Sequence, residues 1–323
     1  MSHNNENKLK KMLLMGQHKV GKTSMHSIIF ANTPPNQVMQ IGLTVDVNQN
    51  SFKFMGNLKI NLWDCGGQDK LLQEYFTTQK STIFSNVEVL IYVFDVDKEG
   101  ELFLKELNDF KTTVTSLSEC SPGAIVFVLI HKFDKIKESE RKIVFERKYK
   151  EIIQRADGLN IEIKDVFSTS IWDETLYKAW SQIVQNLIPN INVIKESLKA
   201  FCQTCSCEEV VLFEKSTFLI IDFQETNEKK DIQKYERLSN IIKQFKLTCM
   251  KTSANIQAIT VKSEKFTVYI DEFTENTFIM LAYTDPSIYP AAISHNVHHA
   301  QKLFESIQGT DTEKLKYLIQ RKL

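Results

Sequence analysis

The residues best suited to chemistry lie near the N-terminus, where residues 16–23 read GQHKVGKT and fit the pattern G-x-x-x-x-G-K-[ST]. A loop of this kind turns its backbone N–H groups toward phosphate oxygens. The ammonium group of Lys22 can reach the terminal phosphates, and the hydroxyl of Thr23 can bind Mg²⁺. The sequence therefore predicts a phosphate-binding loop rather than a glycine turn that only caps a helix.

A second candidate group follows at residues 64–68, which read DCGGQ. Asp64 can hold Mg²⁺ through water, Gly67 can offer its N–H to a terminal phosphate, and Gln68 can orient a water molecule. Taken alone, this string is more typical of a structural turn. Downstream of a phosphate loop, it predicts the part of the site that acts on the terminal phosphate.

A third candidate group, HKFD at residues 131–134, comes directly after an apolar run. The carboxylate of Asp134 can accept two hydrogen bonds from the N1 and N2 hydrogens of guanine, which adenine cannot supply. Lys132 can lie along the base. A charged surface turn is the simpler interpretation, but residues 168–171 (STSI) end the next strand where a second base-contacting loop is needed. The pattern favours guanine over adenine.

These groups require an alternating series of strands and helices to position them. A short apolar run over 9–15 precedes the phosphate loop, and a helical stretch over 22–30 follows it. Residues 51–63 alternate around a turn and predict a hairpin. Continuous apolar runs over 87–96 and 124–130 predict strands that are buried on both faces. The sequence therefore predicts an α/β domain with a mostly parallel sheet and helices on both faces.

The pattern changes after Pro189. We expect a helix over 191–201, strands over 210–213 and 218–223, and an amphipathic helix that carries Leu238, Ile241, Ile242 and Phe245. Three further strands are predicted over 256–261, 266–270 and 278–283. A final helix carries an apolar stripe at Ile293, Val297, Ala300, Phe304 and Ile307. This order predicts an α+β domain whose antiparallel sheet has helices on one face.

Composition excludes several classes of protein. The chain has 323 residues, and its 40 basic residues balance its 40 acidic residues, so we expect no nucleic-acid partner. It has no apolar run of the roughly 18 residues that a membrane span needs. Neither the opening MSHNN nor the closing IQRKL offers a lipidation site, so we expect no direct membrane insertion. Six unevenly spaced cysteines favour a reducing, intracellular compartment.

Two further clusters have simpler interpretations. Cys202, Cys205 and Cys207 have a spacing that can ligate zinc, but no second pair of ligands lies close in the sequence, which favours free thiols. His295, His298 and His299 favour a solvated or interface helix over a metal site.

The motifs occur in the order and approximate spacing of the Ras-like GTPases. Longer segments, namely NVEVLIYVFDV, TSIWDETLYKAW, SNIIKQFKL and TDPSI, resemble Rag GTPases of the RagA/RagB branch. The resemblance runs over almost the whole chain. It implies a Ras-like GTPase domain over 9–189 and a roadblock-like dimerisation domain over 190–323.

The resemblance also implies roles for single residues. Lys22 would bind the β- and γ-phosphates, Thr23 and Thr44 would bind Mg²⁺, and Asp64 would reach the same ion through water. Gln68 would position the attacking water beside Gly67. The remaining nucleotide contacts would come from the two loops and their flanks, at His18, Lys19, Val20, Gly21, Ser24, His131, Lys132, Asp134, Ser170 and Ile171.

The function implied by the resemblance is that of a slow GTPase switch. It would bind GTP or GDP, pair with a RagC-type chain, and act in amino-acid signalling to the target-of-rapamycin kinase complex. A membrane scaffold complex would recruit it from the cytoplasm to the lysosome or vacuole, and a GTPase-activating protein would stimulate it.

The sequence departs from this pattern at His18 and Lys19, which stand where most Ras proteins have glycine, and at His131, which replaces the usual Asn as in Rag proteins. Bulk at His18 crowds the space that an inserted arginine would use. An alternative therefore stays open, in which the chain is a nucleotide-binding assembly scaffold with negligible hydrolysis.

Overall fold

The computed structural model describes residues 9–39, 41–42, 44, 46–226, 245, 248, 258–264 and 266–309. The chain divides into two compact units. The first comprises the chain up to Phe52 together with Lys59–Ile183, and the second comprises Lys53–Leu58 together with the chain from Val184.

The first unit is built on a six-stranded sheet with the strand order β2-β3-β1-β4-β5-β6. Strand β1 pairs in parallel with β3 and β4, and the ladder continues in parallel through β5 to β6. The carboxyl ends of these strands therefore meet at one edge of the sheet, where ligand sites of open α/β sheets lie. The strands are β1 (Leu9–Met15), β2 (Asn48–Met55), β3 (Leu58–Asp64), β4 (Val87–Asp95), β5 (Ile125–His131) and β6 (Glu162–Thr169).

Helices cover both faces of this sheet, as predicted. Strand β4 is buried at every position except Glu88, which requires cover on both sides. One core cluster joins alternate residues of β4, such as Tyr92 and Phe94, to Phe110. The helices are α1 (Lys22–Phe30), α2 (Pro35–Val38), α3 (Asp69–Phe76), α4 (Lys80–Phe84), α5 (Gly100–Cys120), α6 (Glu138–Ala156) and α7 (Thr175–Gln185), with a 3₁₀ turn at Phe133–Lys135.

The second unit carries a five-stranded antiparallel sheet with the strand order β8-β7-β11-β10-β9. Its strands are β7 (Glu209–Glu214), β8 (Ile220–Glu225), β9 (Ala258–Lys262), β10 (Thr267–Thr274) and β11 (Thr277–Tyr283). Its helices are α8 (Ile191–Thr204) and α9 (Pro290–Gly309). Four residues of the apolar stripe predicted on the last helix, Ile293, Val297, Phe304 and Ile307, are buried, and the fifth, Ala300, is half-buried.

Two expectations about this unit are wrong. The strand predicted from residue 218 begins at Ile220, because Phe218 has a φ of 60° and lies in a turn. The expectation that helices cover only one face also fails. Phe273 packs on Phe304 of α9, whereas Phe278 packs on the buried Phe245 within a separate cluster. Leu238, Ile241 and Ile242 of the predicted helix lie outside the described residues.

Candidate functional site

The phosphate loop joins the end of β1 to the start of α1, and its two glycines are required by geometry. Gly16 has a φ of +142°, and a Cβ there would lie 2.3 Å from the carbonyl oxygen of Val93. Gly21 has a φ of +101°, and a Cβ there would lie 2.8 Å from the ring of His131. A left-handed backbone without room for a side chain admits only glycine. This explains why the first and sixth positions of the pattern are glycine.

Lys22 lies inside the curve of this loop. Its Nζ donates to the carbonyl oxygens of Gly16 at 2.8 Å and Gln17 at 2.9 Å, and the side chain is buried. Burial lowers the pKa of Lys22 to about 8, which the nearby carboxylate of Asp64 partly opposes. A desolvated cation gains most from an anionic partner. Lys22 is therefore placed and poised to bind a phosphate group.

Three hard oxygen donors meet at the start of α1. The Oγ1 of Thr23 lies 2.6 Å from the Oγ1 of Thr44 and donates to the Oδ2 of Asp64 at 2.7 Å. Asp64 is fully buried, and its Oδ1 has no hydrogen-bond partner within the described part of the chain. Burial raises the pKa of Asp64, while the Thr23 hydroxyl and the Lys22 and His26 side chains act in the opposite direction. The cluster has the chemistry of a Mg²⁺ site.

Residues 64–68 pack directly on the phosphate loop. A Cβ at Gly67 would lie 2.4 Å from the carbonyl carbon of Gln17 and 2.5 Å from the carbonyl oxygen of Gly16. The next residue, Gln68, donates from Nε2 to the carbonyl oxygen of Thr44 at 2.9 Å. Its Oε1 is buried and has no hydrogen-bond partner among the described residues. The Nε2 of Gln68 is thus held by Thr44, and its Oε1 can accept a hydrogen bond from another group.

The HKFD loop lines the same site and is tied to the phosphate loop by Lys132. The Nζ of Lys132 donates to the carbonyl oxygen of Lys19 at 2.7 Å and to the Oδ2 of Asp95 at 2.5 Å. The Oδ1 of Asp134 accepts a hydrogen bond from the Oγ of Ser170 at 2.7 Å. Ser170 therefore fixes the carboxylate that we expect to contact a base.

The side chain of His131 contacts both the phosphate loop and the end of strand β6. Its Nδ1 lies 3.0 Å from the Oγ1 of Thr169, and its ring lies against Gly21. Burial, reinforced by the neighbouring charge of Lys132, lowers the pKa of His131 to about 4. The ring is therefore neutral at ordinary pH. The contact from Lys132 to the carbonyl oxygen of Lys19 also joins this region to the phosphate loop.

These parts enclose a cavity of about 360 Å³. Fourteen predicted site residues line it: His18, Lys19, Val20, Gly21, Lys22, Thr23, Ser24, Thr44, Gly67, Gln68, His131, Lys132, Asp134 and Ile171. Asp64 and Ser170 do not line it but hold Thr23 and Asp134 in place. Six lining residues were not predicted: Val38, Met39, Ile41, Gly42, Lys135 and Trp172.

The remaining sequence candidates lie elsewhere. Cys202, Cys205 and Cys207 are buried and form no disulfide. Within the described part of the chain, no three or more His, Cys, Asp or Glu residues form a cluster suited to a metal ion. Cys249 lies outside the described residues. Among the helices that the structure describes, none is long and apolar enough to span a membrane.

Fold and site together define a P-loop nucleotide-binding protein of the α/β class. Residues 11–242 match the model of the Gtr1/RagA G protein conserved region. The chain belongs to the Gtr1/RagA family of G proteins.

Relatives agree with this assignment and with its branch. The chain is 47% identical to Ras-related GTP-binding protein A of Dictyostelium discoideum, over 92% of this chain and 97% of that protein. It is 40% identical to Ras-related GTP-binding protein B of Rattus norvegicus, over 94% and 88%. Identity to Ras-related GTP-binding protein C of Homo sapiens is 26%, over 72% and 57%. The comparison confirms the resemblance to the RagA/RagB branch.

Proposed function

We propose that this protein is a guanine-nucleotide switch that binds GTP, hydrolyses it slowly to GDP and phosphate, and changes partners between the two states. The observation that carries the proposal is that one cavity is lined both by Asp134 and Ile171 and by Lys22, Thr23 and Gln68. A guanine edge fits the first group, and a phosphate chain fits the second.

Magnesium fits the cluster at the start of α1. The hydroxyls of Thr23 and Thr44 would hold the ion, and Asp64 would reach it through water. The buried Oδ1 of Asp64, which has no hydrogen-bond partner among the described residues, supports a bound cation or its water there. When bound, the ion would neutralise charge on the phosphates.

Hydrolysis would depend on Gln68 and Gly67. The buried Oε1 of Gln68 can accept a hydrogen bond from a water molecule, while its Nε2 stays on Thr44. That water would attack the terminal phosphorus and displace GDP, with the Gly67 N–H offered to the phosphate oxygens. Because Gln68 only orients the water and is a very weak base, the intrinsic rate would be slow.

The partner would be a RagC-type chain, bound through a roadblock-like domain over residues 190–323 that follows a GTPase domain over 9–189. The antiparallel sheet in the second unit supports this proposal. Its edge strands are β8 and β9, and the backbone groups of an edge strand can pair with a strand of another chain. The pair would act in amino-acid signalling to the target-of-rapamycin kinase complex, and partners would recruit it to the lysosomal or vacuolar membrane.

One observation favours the alternative, an assembly scaffold with negligible hydrolysis. His18 and Lys19 both line the cavity. Burial and the charges of Lys19, Lys22 and Lys98 lower the pKa of His18. The two side chains would occupy the space where smaller residues would admit an arginine. The intrinsic hydrolysis rate separates the two functions.

The test is to identify the nucleotide that the purified protein releases on denaturation, followed by single-turnover hydrolysis of loaded GTP. We expect bound GDP or GTP and slow phosphate release. Bound guanine nucleotide without measurable phosphate release would support the scaffold, and bound ATP or no bound nucleotide would contradict both functions.

A further inference from the structure

The side chain of Gln17, the second residue of the phosphate loop, is held by two charged groups of opposite sign. Its Nε2 donates to the Oδ2 of Asp109 at 2.5 Å, and its Oε1 accepts from the Nζ of Lys98 at 2.5 Å. Gln17 is buried. Hydrogen bonds to charged partners are roughly twice as strong as neutral ones, so this amide is fixed at both ends.

The two partners of Gln17 are themselves anchored. Lys98 lies 3.2 Å from the Oε1 of Glu106, which is fully buried on α5, and the carbonyl oxygen of Lys98 accepts from the Nζ of Lys148 at 2.6 Å. Asp109 lies one turn after Glu106 on the same helix. The long helix α5 therefore supplies two fixed points behind the phosphate loop.

The main chain of Gln17 lies at the centre of the phosphate end of the site. Its carbonyl oxygen accepts from the Nζ of Lys22 at 2.9 Å. Its carbonyl carbon is the atom that a Cβ at Gly67 would approach to 2.4 Å. A shift of Gln17 would thus move a partner of the phosphate-binding lysine and the surface on which residues 64–68 rest.

From these contacts we infer that Gln17 is a positioning residue for nucleotide binding, and that Asp109 and Lys98 on its two sides hold the phosphate loop in its binding shape. The inference rests on the proposed function and goes beyond it, because the motifs assign no nucleotide contact to any of these three side chains: Gln17 stands at a variable position of the phosphate loop, and Lys98 and Asp109 lie outside every motif. A loop that its own contacts already order loses less conformational entropy when it binds a ligand. Removing the contacts should therefore speed nucleotide release.

The experiment measures the dissociation rate of a fluorescent GDP from the full chain. We expect Gln17→Ala and Asp109→Leu each to speed release about tenfold, which is the size of one lost charge-assisted hydrogen bond. The double variant should release GDP no faster than the worse single variant, because both changes break the same contact. Asp109→Asn should speed release less than Asp109→Leu does, since its amide oxygen can still accept a neutral hydrogen bond from Gln17.

Two controls separate positioning from general damage to the fold. Asn108→Ala changes an exposed neighbour of Asp109 on the same helix and should release GDP at the wild-type rate. Asp109→Asn removes the charge but keeps the acceptor, so a rate equal to that of Asp109→Leu would overturn the inference. So would a wild-type rate for Gln17→Ala, or additive effects in the double variant. Failure of the wild-type chain to bind GDP would overturn the proposed function as well.

Discussion

At the scale of single residues, the buried side chain of His131 links the phosphate loop to the end of strand β6 and makes the first unit sensitive to acid. Its ring touches Gly21 of the phosphate loop and its Nδ1 touches Thr169, yet it carries no charge in the folded state at neutral pH. Protonation would place an unpaired cation in a buried position, which is strongly unfavourable. The first unit should therefore be sensitive to mild acid.

We predict that His131→Asn reduces this acid sensitivity. The folded pKa of His131 is about 4, against 6.5 for the unfolded chain, so the unfolded state binds the extra proton as pH falls from 6.5 to 4. The free energy of unfolding should fall by up to about 3 kcal/mol over that range in the wild type, and by less in the variant.

Urea unfolding at a series of pH values, followed by tryptophan fluorescence, measures this difference. The three tryptophans, Trp63, Trp172 and Trp180, all lie in the first unit and so report on it. Equal slopes of stability against pH in both proteins would show that another group carries the acid sensitivity.

A second prediction concerns Gln68. Gln68→Leu keeps the size of the side chain but removes the oxygen that would orient the attacking water, so GTP affinity should change little while single-turnover hydrolysis slows by at least about tenfold. Phosphate release from preloaded protein measures the rate. An unaltered rate would mean that a different group positions the water.

The sequence predicted the residues that line the cavity better than the residues that hold them in place. Motif residues such as Lys22 and Asp134 are recognisable because phosphate and guanine chemistry fixes both their type and their spacing. Trp172 and Ile41 line the same cavity without any such pattern. Gln17 matches the motif only as a variable position, and its partners Lys98 and Asp109 come close only after α5 has packed.

At the scale of elements, the site forms where three loops converge at the carboxyl edge of the parallel sheet. The phosphate loop follows β1, residues 64–68 follow β3, and the HKFD loop follows β5. Parallel pairing of these strands with their neighbours brings the loops together although they are far apart in sequence. At Gly67 the second of these loops meets the backbone of the phosphate loop, and a Cβ there would lie 2.4 Å from the carbonyl carbon of Gln17.

We predict that Gly67→Ala weakens binding of a non-hydrolysable GTP analogue by about tenfold or more. The new methyl group would overlap backbone atoms of Gly16 and Gln17, which cannot rotate away as a side chain can, and overpacking of this kind costs about 1–3 kcal/mol. Titration of each protein with a fluorescent form of this analogue measures the loss of affinity.

Gly123→Ala is the matched control, because a Cβ there meets no atom within 4 Å. It should bind the analogue like the wild type. Wild-type affinity in Gly67→Ala would contradict the close packing of residues 64–68 on the phosphate loop.

The pattern of elements was predictable where apolar periodicity is strong. Strands β1, β4 and β5 lie within a residue of their predicted bounds because they are continuous apolar runs. The start of β8 was not predictable, because Phe218 looks like a strand residue but adopts a positive φ. The sequence also did not predict that Phe245 packs on the second face of the antiparallel sheet. An apolar stripe shows that a helix is amphipathic, but it does not show which face of the sheet the helix covers.

At the scale of the whole molecule, we expect the second unit to have a role other than hydrolysis, because a GTPase domain hydrolyses GTP without it. We predict that the full chain forms a heterodimer with a co-expressed RagC-type chain in preference to a homodimer. The chain carries no net charge, so apolar contacts should hold the complex and it should survive high salt.

Sizing of the co-purified proteins at low and high salt tests both statements. Separate elution of the two chains at low salt would contradict the heterodimer. A complex that dissociates only at high salt would contradict the apolar interface and indicate charge complementarity instead.

The central claim, that the cavity binds a guanine nucleotide, is tested most directly by Asp134→Asn. The carboxylate of Asp134 would accept from the N1 and N2 hydrogens of guanine, whereas the 2-oxo group of xanthine is an acceptor that repels a carboxylate and suits an amide. Titration of GDP and xanthosine diphosphate against the wild type and the variant gives four affinities. We predict that the wild type prefers GDP and the variant prefers xanthosine diphosphate; an unchanged preference would show that residues 131–134 are only a surface turn.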